Sequence, residues 1–318
     1  MRSAATALSL LALGPLGALA LPRGSTATTQ ASRPDRDLDG AVWKSLISKA
    51  TRVKRQSSWD PPSELVKPLE EVWDHTVESY NNGQWDAFKN YGYDIIVAAE
   101  GYDRCSRRLW AILMSRSKLN FCVRWDSSGS VTAEQRNAIE KSLQANVPKW
   151  TDHLTGFMGW PYQNVSANIV GWAVSDSSKL QGSTDNIQVH DSTADAEGIP
   201  ECDTRCGRFF HQDGDYSECP SGPEGRYDMS LWLTEGMEGG AGGDWGQRVG
   251  SEYFLSALDS PHIWLHEFGH TLALDDFYDW LPAGQDAFIM NAGSSMEVTE
   301  FDIWMMRDWW RKLASRYV

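Results

Sequence analysis

Apolar and small residues recur at three- and four-residue steps through Val66, Leu69, Val72, Trp73, Thr76, Val77 and Tyr80. That spacing predicts a helix with one buried stripe, in spite of Pro68 near its start. Residues 84–99 carry no clear period. Asn120 to Trp125 reads as a short strand, and Ser127-Ser128-Gly129-Ser130 as the turn after it. A helix follows, capped by Ser130 or Thr132, with Ala138, Ile139, Leu143, Val147 and Trp150 on its inner face. Ala167 to Val174 and Tyr227 to Thr234 are further strand candidates, the second with partial alternation. The run Gly239, Gly240, Gly242, Gly243 lacks the spacing and the Lys-Ser/Thr of a phosphate-binding loop, so it reads as a flexible loop. A helix over His262–Leu274, a loop through Asn291 and a last helix from about Thr299 to Ser315 complete the chain. No repeat of fixed period is present. This order of elements predicts an α+β or three-layer α/β domain.

Charge divides the chain in two. The first 55 residues hold nine Lys/Arg and three Asp/Glu, whereas the remaining 263 hold 20 basic and 40 acidic residues. Residues 1–20 have the form of a secretory signal, with Arg2, an apolar centre from Leu8 to Leu13, and Ala18-Leu19-Ala20 for cleavage. Residues 21–55 then read as a propeptide ending at Lys54-Arg55, where a processing protease would cut. Arg107-Arg108 is a second basic pair, but its apolar neighbours suggest a folded site. The predicted mature body is residues 56–318, with a helical extension over 56–118 and a core over 119–318. So acidic a body is a poor partner for nucleic acid. No later apolar run is long enough to span a membrane, so the expectation is a secreted, extracellular monomer.

The stretch that carries chemistry is Ile263-Trp264-Leu265-His266-Glu267-Phe268-Gly269-His270-Thr271-Leu272-Ala273-Leu274-Asp275-Asp276. On a helix, His266 and His270 project from one face and can grip a single Zn²⁺. Glu267 can then act as general base toward a water without being a ligand itself. Two imidazoles need a third protein donor. Asp276 is the candidate, with Asp275 and Asp279 as near competitors.

The spacing of His266, His270 and Asp276 resembles the metzincin zinc peptidases, as does Phe288-Ile289-Met290-Asn291-Ala292-Gly293, which is similar to their Met-turn. The stretch from His266 to about Tyr317 is similar to secreted metallopeptidase-like proteins of fungi and actinobacteria. The resemblance implies a twisted, mostly parallel sheet with an antiparallel edge strand, an active-site helix, a floor made by Met290 and a C-terminal helix. It also implies a zinc endopeptidase that takes an extended peptide antiparallel to an edge strand. Tyr227–Thr234 is the candidate for that strand, with Tyr227, Ser230, Leu231 and Trp232 meeting the substrate. Two positions depart from the family pattern. Ala273 stands where a Gly usually turns the chain, and Ala292 where a Tyr often helps to stabilise the intermediate, a role Tyr278 could fill instead.

Five cysteines, Cys105, Cys122, Cys202, Cys206 and Cys219, follow the cut. A secreted route makes disulfides the default, with one expected inside Cys202–Cys219. A zinc site of Cys202, Cys206, Cys219 and His211 is the lesser alternative. The acidic loop around Asp213, Asp215 and Glu218 could hold Ca²⁺ but lacks an EF-hand pattern. Asn164-Val165-Ser166 is a glycosylation acceptor. In the leader, Asp35, Asp37 or Asp39 could ligate the metal, although an assisting or shielding role for the segment is the preferred reading. Two other readings remain open. One is a gluzincin-like peptidase with Glu297 or Glu300 as third ligand. The other is a non-catalytic carbohydrate- or wall-binding protein, suggested by 16 tryptophans, 15 of them after residue 55.

Overall fold

The structure is a computed structural model that describes residues 58–81, 116–211, 215–222 and 225–316, all within one compact unit, Val53–Val318. The signal segment, the propeptide with Lys54 and Arg55, the Arg107-Arg108 pair, Cys105 and Asp213 lie outside the described residues.

Helix α1 (Ser63–Asn81) contains Pro68 and buries Leu69, Val72 and Thr76 of the predicted stripe, but Val66 is exposed and Leu65 is buried in its stead. Strand β1 (Arg116–Asp126) starts three residues before the expected core boundary. Helix α2 (Ala133–Asn146) opens on a capping box, in which Thr132 Oγ1 accepts from Gln135 N–H and the Gln135 side chain accepts from Thr132 N–H. Then come β2 (Asn164–Ala173), β3 (Gln188–His190), β4 (Met229–Thr234), β5 (Gly240–Gly243) and β6 (Gly246–Gly250). Helices α3 (Ser251–Ser256), α4 (His262–Thr271) and α5 (Glu300–Leu313) close the domain.

Among the described residues six strands form one sheet in the order β3-β2-β1-β4-β6-β5, parallel except for β5, which runs antiparallel to β6 at the edge. A mostly parallel sheet needs cover on both faces. On one face, Leu119, Phe121, Val123 and Trp125 of β1 and Leu231 and Leu233 of β4 join Ile139, Leu143, Trp264, Phe268, Phe288 and Met290 in the main core. The other face meets the segment between β3 and β4, which is stapled by Cys122–Cys202 and Cys206–Cys219. The second bridge falls inside the predicted Cys202–Cys219 interval. With their sulfurs joined in pairs, Cys202, Cys206 and Cys219 have none left for a zinc site. Under the staple, Arg124 donates to Asp195 Oδ2 (2.5 Å) and Pro200 O (2.8 Å), while Trp232 lies between the Arg124 and Arg248 guanidiniums at 4.0 and 3.7 Å.

Two strand expectations are corrected. Tyr227–Thr234 is not an edge: β4 pairs with β1 on one side and β6 on the other, so its backbone has no free hydrogen-bonding side. Tyr227 and Leu231 are buried, and Ser230 and Trp232 belong to an interior strand. The glycine run is not a flexible loop but the edge strand itself, β5. Its residues have almost no side chains with which to show a strand's alternation.

None of the described tryptophans is exposed. Trp150, Trp172, Trp264 and Trp310 are among the largest fully buried side chains, so among the described residues they build core rather than a stacking platform. No described helix is long and apolar enough to cross a membrane.

Candidate metal centre

Helix α4 is fixed before any ligand is considered. Trp264 Nε1 donates to Gln247 Oε1 (3.1 Å), Gln247 Nε2 donates to Thr271 Oγ1 (2.7 Å), and Thr271 Oγ1 donates to Gly243 O (2.8 Å). That chain of bonds ties the helix to β6 and β5. Below it, a Cβ on Gly269 would lie 2.2 Å from Met290 Sδ, so only glycine lets the helix rest on the methionine. Met290 is fully buried, the floor position that the resemblance implies.

The helix ends in a Schellman pattern: Leu274 N–H donates to Gly269 O (3.1 Å) and Ala273 N–H to His270 O (3.0 Å). Ala273 takes φ 66°, the left-handed conformation that this motif needs at the residue after the cap. The alanine therefore does what a glycine would do there, at some backbone strain. The chain reverses, and Asp276 comes back over the histidines.

Three acceptor atoms converge. Asp276 Oδ1 lies 3.1 Å from His266 Nε2 and 3.4 Å from His270 Nε2, and the two Nε2 atoms are 3.2 Å apart. The imidazole planes stand at 89°. Each Nδ1 is turned to a backbone carbonyl, His266 to Ile289 O and His270 to Leu274 O, both at 2.8 Å. Those bonds put the ring protons on Nδ1 and leave the Nε2 lone pairs facing Asp276. Asp276 Oδ1 is buried and has no hydrogen-bond donor. Tetrahedral zinc, with bonds of about 2.0–2.1 Å, holds its donors about 3.3–3.4 Å apart, so the triangle fits that ion.

Burial works against a charged His270, but the neighbouring Asp276 carboxylate, with Glu267 behind, outweighs it and holds the ring up at about 9. Burial opposes the Asp276 carboxylate as well, yet the two imidazoles keep it far below the usual range.

Glu267 Oε2 is 3.9 Å from His270 Nε2, near enough to count as a donor on distance alone. Asp276 is closer to both rings and is the better third donor. Glu267 is left at the rim of the triangle. Burial pushes its carboxyl above the ordinary value, against the pull of both histidines. A Cβ on Gly240 would lie 2.4 Å from Glu267 Oε1, so β5 lies directly against the acid.

The competitors point elsewhere. Asp275 Oδ1 accepts from Asp276 N–H (2.9 Å) and its Oδ2 is turned to His75, while Asp279 is exposed. Glu297 and Glu300 are exposed, and neither contacts a histidine of the triangle. Asp215 caps Ser217 N–H and Glu218 is exposed, so the acidic loop gathers no cage among the described residues. Asn164 begins β2 with its side chain exposed, as an acceptor site requires.

Sequence reasoning missed Asp302. It is fully buried in the first turn of α5 and accepts from Ile289 N–H (2.9 Å), Met290 N–H (3.2 Å) and Thr299 N–H (2.8 Å). It thus holds the turn whose Ile289 carbonyl orients His266. The signal was present in the spacing Thr299-Glu300-Phe301-Asp302 at the head of an apolar helix, a capping box with Asp in the acid position. Compared with protein-family models, curated proteins and solved structures, the chain matches none.

Proposed function

We propose that this chain is a secreted zinc endopeptidase of metzincin type, made as a zymogen and cut after Lys54-Arg55. The observation that carries the reading is the triangle of Asp276 Oδ1 and two Nε2 atoms, with edges of 3.1, 3.2 and 3.4 Å and no donor to Asp276 Oδ1. Zinc held there would supply a Lewis acid that polarises a water and the peptide carbonyl. His266, His270 and Asp276 hold and orient. Glu267, buried and with its carboxyl raised, takes the proton of the attacking water and returns it to the leaving amine.

Tyr278 stands two residues after Asp276, with 61% of its surface exposed. Partial burial and the Asp276 charge push its phenol up to about 12, so it keeps its proton and can donate to the oxygen on which charge develops. The substrate strand in this reading is β5 rather than β4. Its outer side is unpaired among the described strands, and a peptide added there would pass beside Glu267.

The test measures zinc per chain and chelator-sensitive peptide hydrolysis on the processed form, beside Glu267→Gln. The expected outcome is one zinc in each protein and a loss of about 10²–10⁴ in kcat for the variant. Full activity in Glu267→Gln would end the proposal.

A further inference from the structure

Helix α1 contributes nothing to the triangle, yet it touches the loop that carries the third donor. The helix and the segment just before it are anchored to α5: Trp59, ahead of the helix, meets Trp304 and Trp73 meets Trp309 edge-on at 5.4 Å, Arg311 lies 4.0 Å over Trp59, and Lys312 Nζ lies 3.1 Å over Trp73. One turn reaches elsewhere. Glu71 Oε2 accepts from Ala283 N–H at 2.7 Å. His75, four residues on and so on the same face, stacks on Trp280 at 4.3 Å and 28°. Its Nδ1 is 3.7 Å from Asp275 Oδ2.

These contacts bracket the third donor. Asp275 uses its other oxygen to accept from Asp276 N–H at 2.9 Å, so a line of contacts runs from His75 through Asp275 to Asp276. Trp280 packs in turn on Phe277 (5.3 Å), and Phe277 on Phe288 (4.9 Å) beside the Met290 turn. The chain between α4 and α5 has no helix or strand of its own. A carboxylate on such a segment keeps its aim only if the segment is held from outside.

We propose that α1 is a brace for the third-donor loop, with Glu71 and His75 as positioning residues for Asp276. The inference rests on the metallopeptidase reading above. It makes the metal affinity of the centre depend on a helix that supplies no ligand.

The test uses the full chain and reads the zinc dissociation constant by competition with a chromophoric chelator, together with the visible spectrum of the cobalt-substituted protein. His75→Ala and Glu71→Ala should each weaken zinc about tenfold, the scale of lost outer-sphere support, and alter the cobalt bands. Glu71→Gln keeps an acceptor for Ala283 N–H and should recover most of the loss. Lys67→Ala, which removes only the exposed 3.5 Å pair with Glu71, should change neither readout. Should an alanine variant not fold, His75→Phe retains the ring on Trp280 without the nitrogen facing Asp275, and should bind zinc a few-fold more weakly. Unchanged affinity and cobalt bands in the His75 and Glu71 variants overturn the brace while leaving the metal reading intact. An unsubstituted chain that binds no zinc overturns that reading, and the brace with it.

Discussion

Two groups of metal-ligating side chains occur in the described part of the molecule: Cys122, His190 and Cys202 on the stapled face, and His266, Glu267 and His270 beside Asp276 at the end of α4. By residue type alone, the cysteine set looks the better soft-metal site. Its sulfurs, however, are bonded to each other. Elsewhere on that face the charged groups meet opposite charges: Arg124 meets Asp195 and Glu201, and Arg208 meets Asp244. At the triangle the opposite holds. Three lone-pair atoms face one another and Asp276 Oδ1 lacks any donor. A buried acceptor left over is costly unless a cation or proton completes it. Composition does not distinguish the two clusters; what their lone pairs are already doing does.

The sharpest way to break this comparison is to delete one member of each cluster and measure zinc. Asp276→Ala should weaken binding on the order of 10²–10³-fold, about one ligand's share of a structural-zinc binding energy. His190→Ala should leave stoichiometry and affinity alone. Zinc lost on His190→Ala but kept on Asp276→Ala would reverse the assignment.

How much of this was legible beforehand depends on whether a feature is local. The bite of His266 and His270 follows from helix geometry over four residues, so sequence suffices. The return of Asp276 was legible only as a spacing; the turn that delivers it depends on Ala273 adopting φ 66°. Tyr227–Thr234 was legible as a strand but not as an interior one, because strand neighbours are set by partners far along the chain. β5 was illegible because glycines carry no alternating pattern, yet glycine is what its closeness to Glu267 demands: a Cβ on Gly242 would lie 2.2 Å from Glu267 O. The contacts of Glu71 and His75 join positions 200 or more residues apart and leave no local mark.

Asp228 probes the other side of the comparison, the claim that buried charge outside the centre is met by the fold. It is fully buried, bonded to Arg226 (2.7 Å) and to Asn120 N–H (2.8 Å), yet burial outweighs both and raises its carboxyl from 3.8 to about 6. The sign follows from the direction. The folded chain holds this proton more tightly than the unfolded chain, so stability is greatest at low pH and falls as pH rises from about 4 to about 6. The loss is at most about 3 kcal/mol. Denaturation midpoints at pH 4, 5, 6 and 7 should therefore show a weaker downward trend for Asp228→Asn than for the parent chain. Equal trends would mean that Arg226 holds the carboxylate charged and that this pair is as settled as the others.

The smallest expected effect concerns the joint between the two kinds of region, where α4 hands the chain to its third donor. A left-handed alanine costs roughly 1–2 kcal/mol relative to the ordinary helical region, whereas glycine adopts it freely but loses more entropy on folding. The balance predicts that Ala273→Gly stabilises the folded chain by about 1 kcal/mol, or about 2–4 °C in Tm. The same substitution widens the conformations open to Leu274 and Asp276 whenever the turn opens. Zinc affinity should stay level if the contacts of Asp276 and the carbonyl of Leu274 on His270 fix the turn by themselves. A rise in Tm with unchanged affinity would mean that the strain is local and the triangle is held by its neighbours. A fall in Tm would mean that the left-handed turn at Ala273 is not the native one, and the path that brings Asp276 back over the histidines would have to be redrawn.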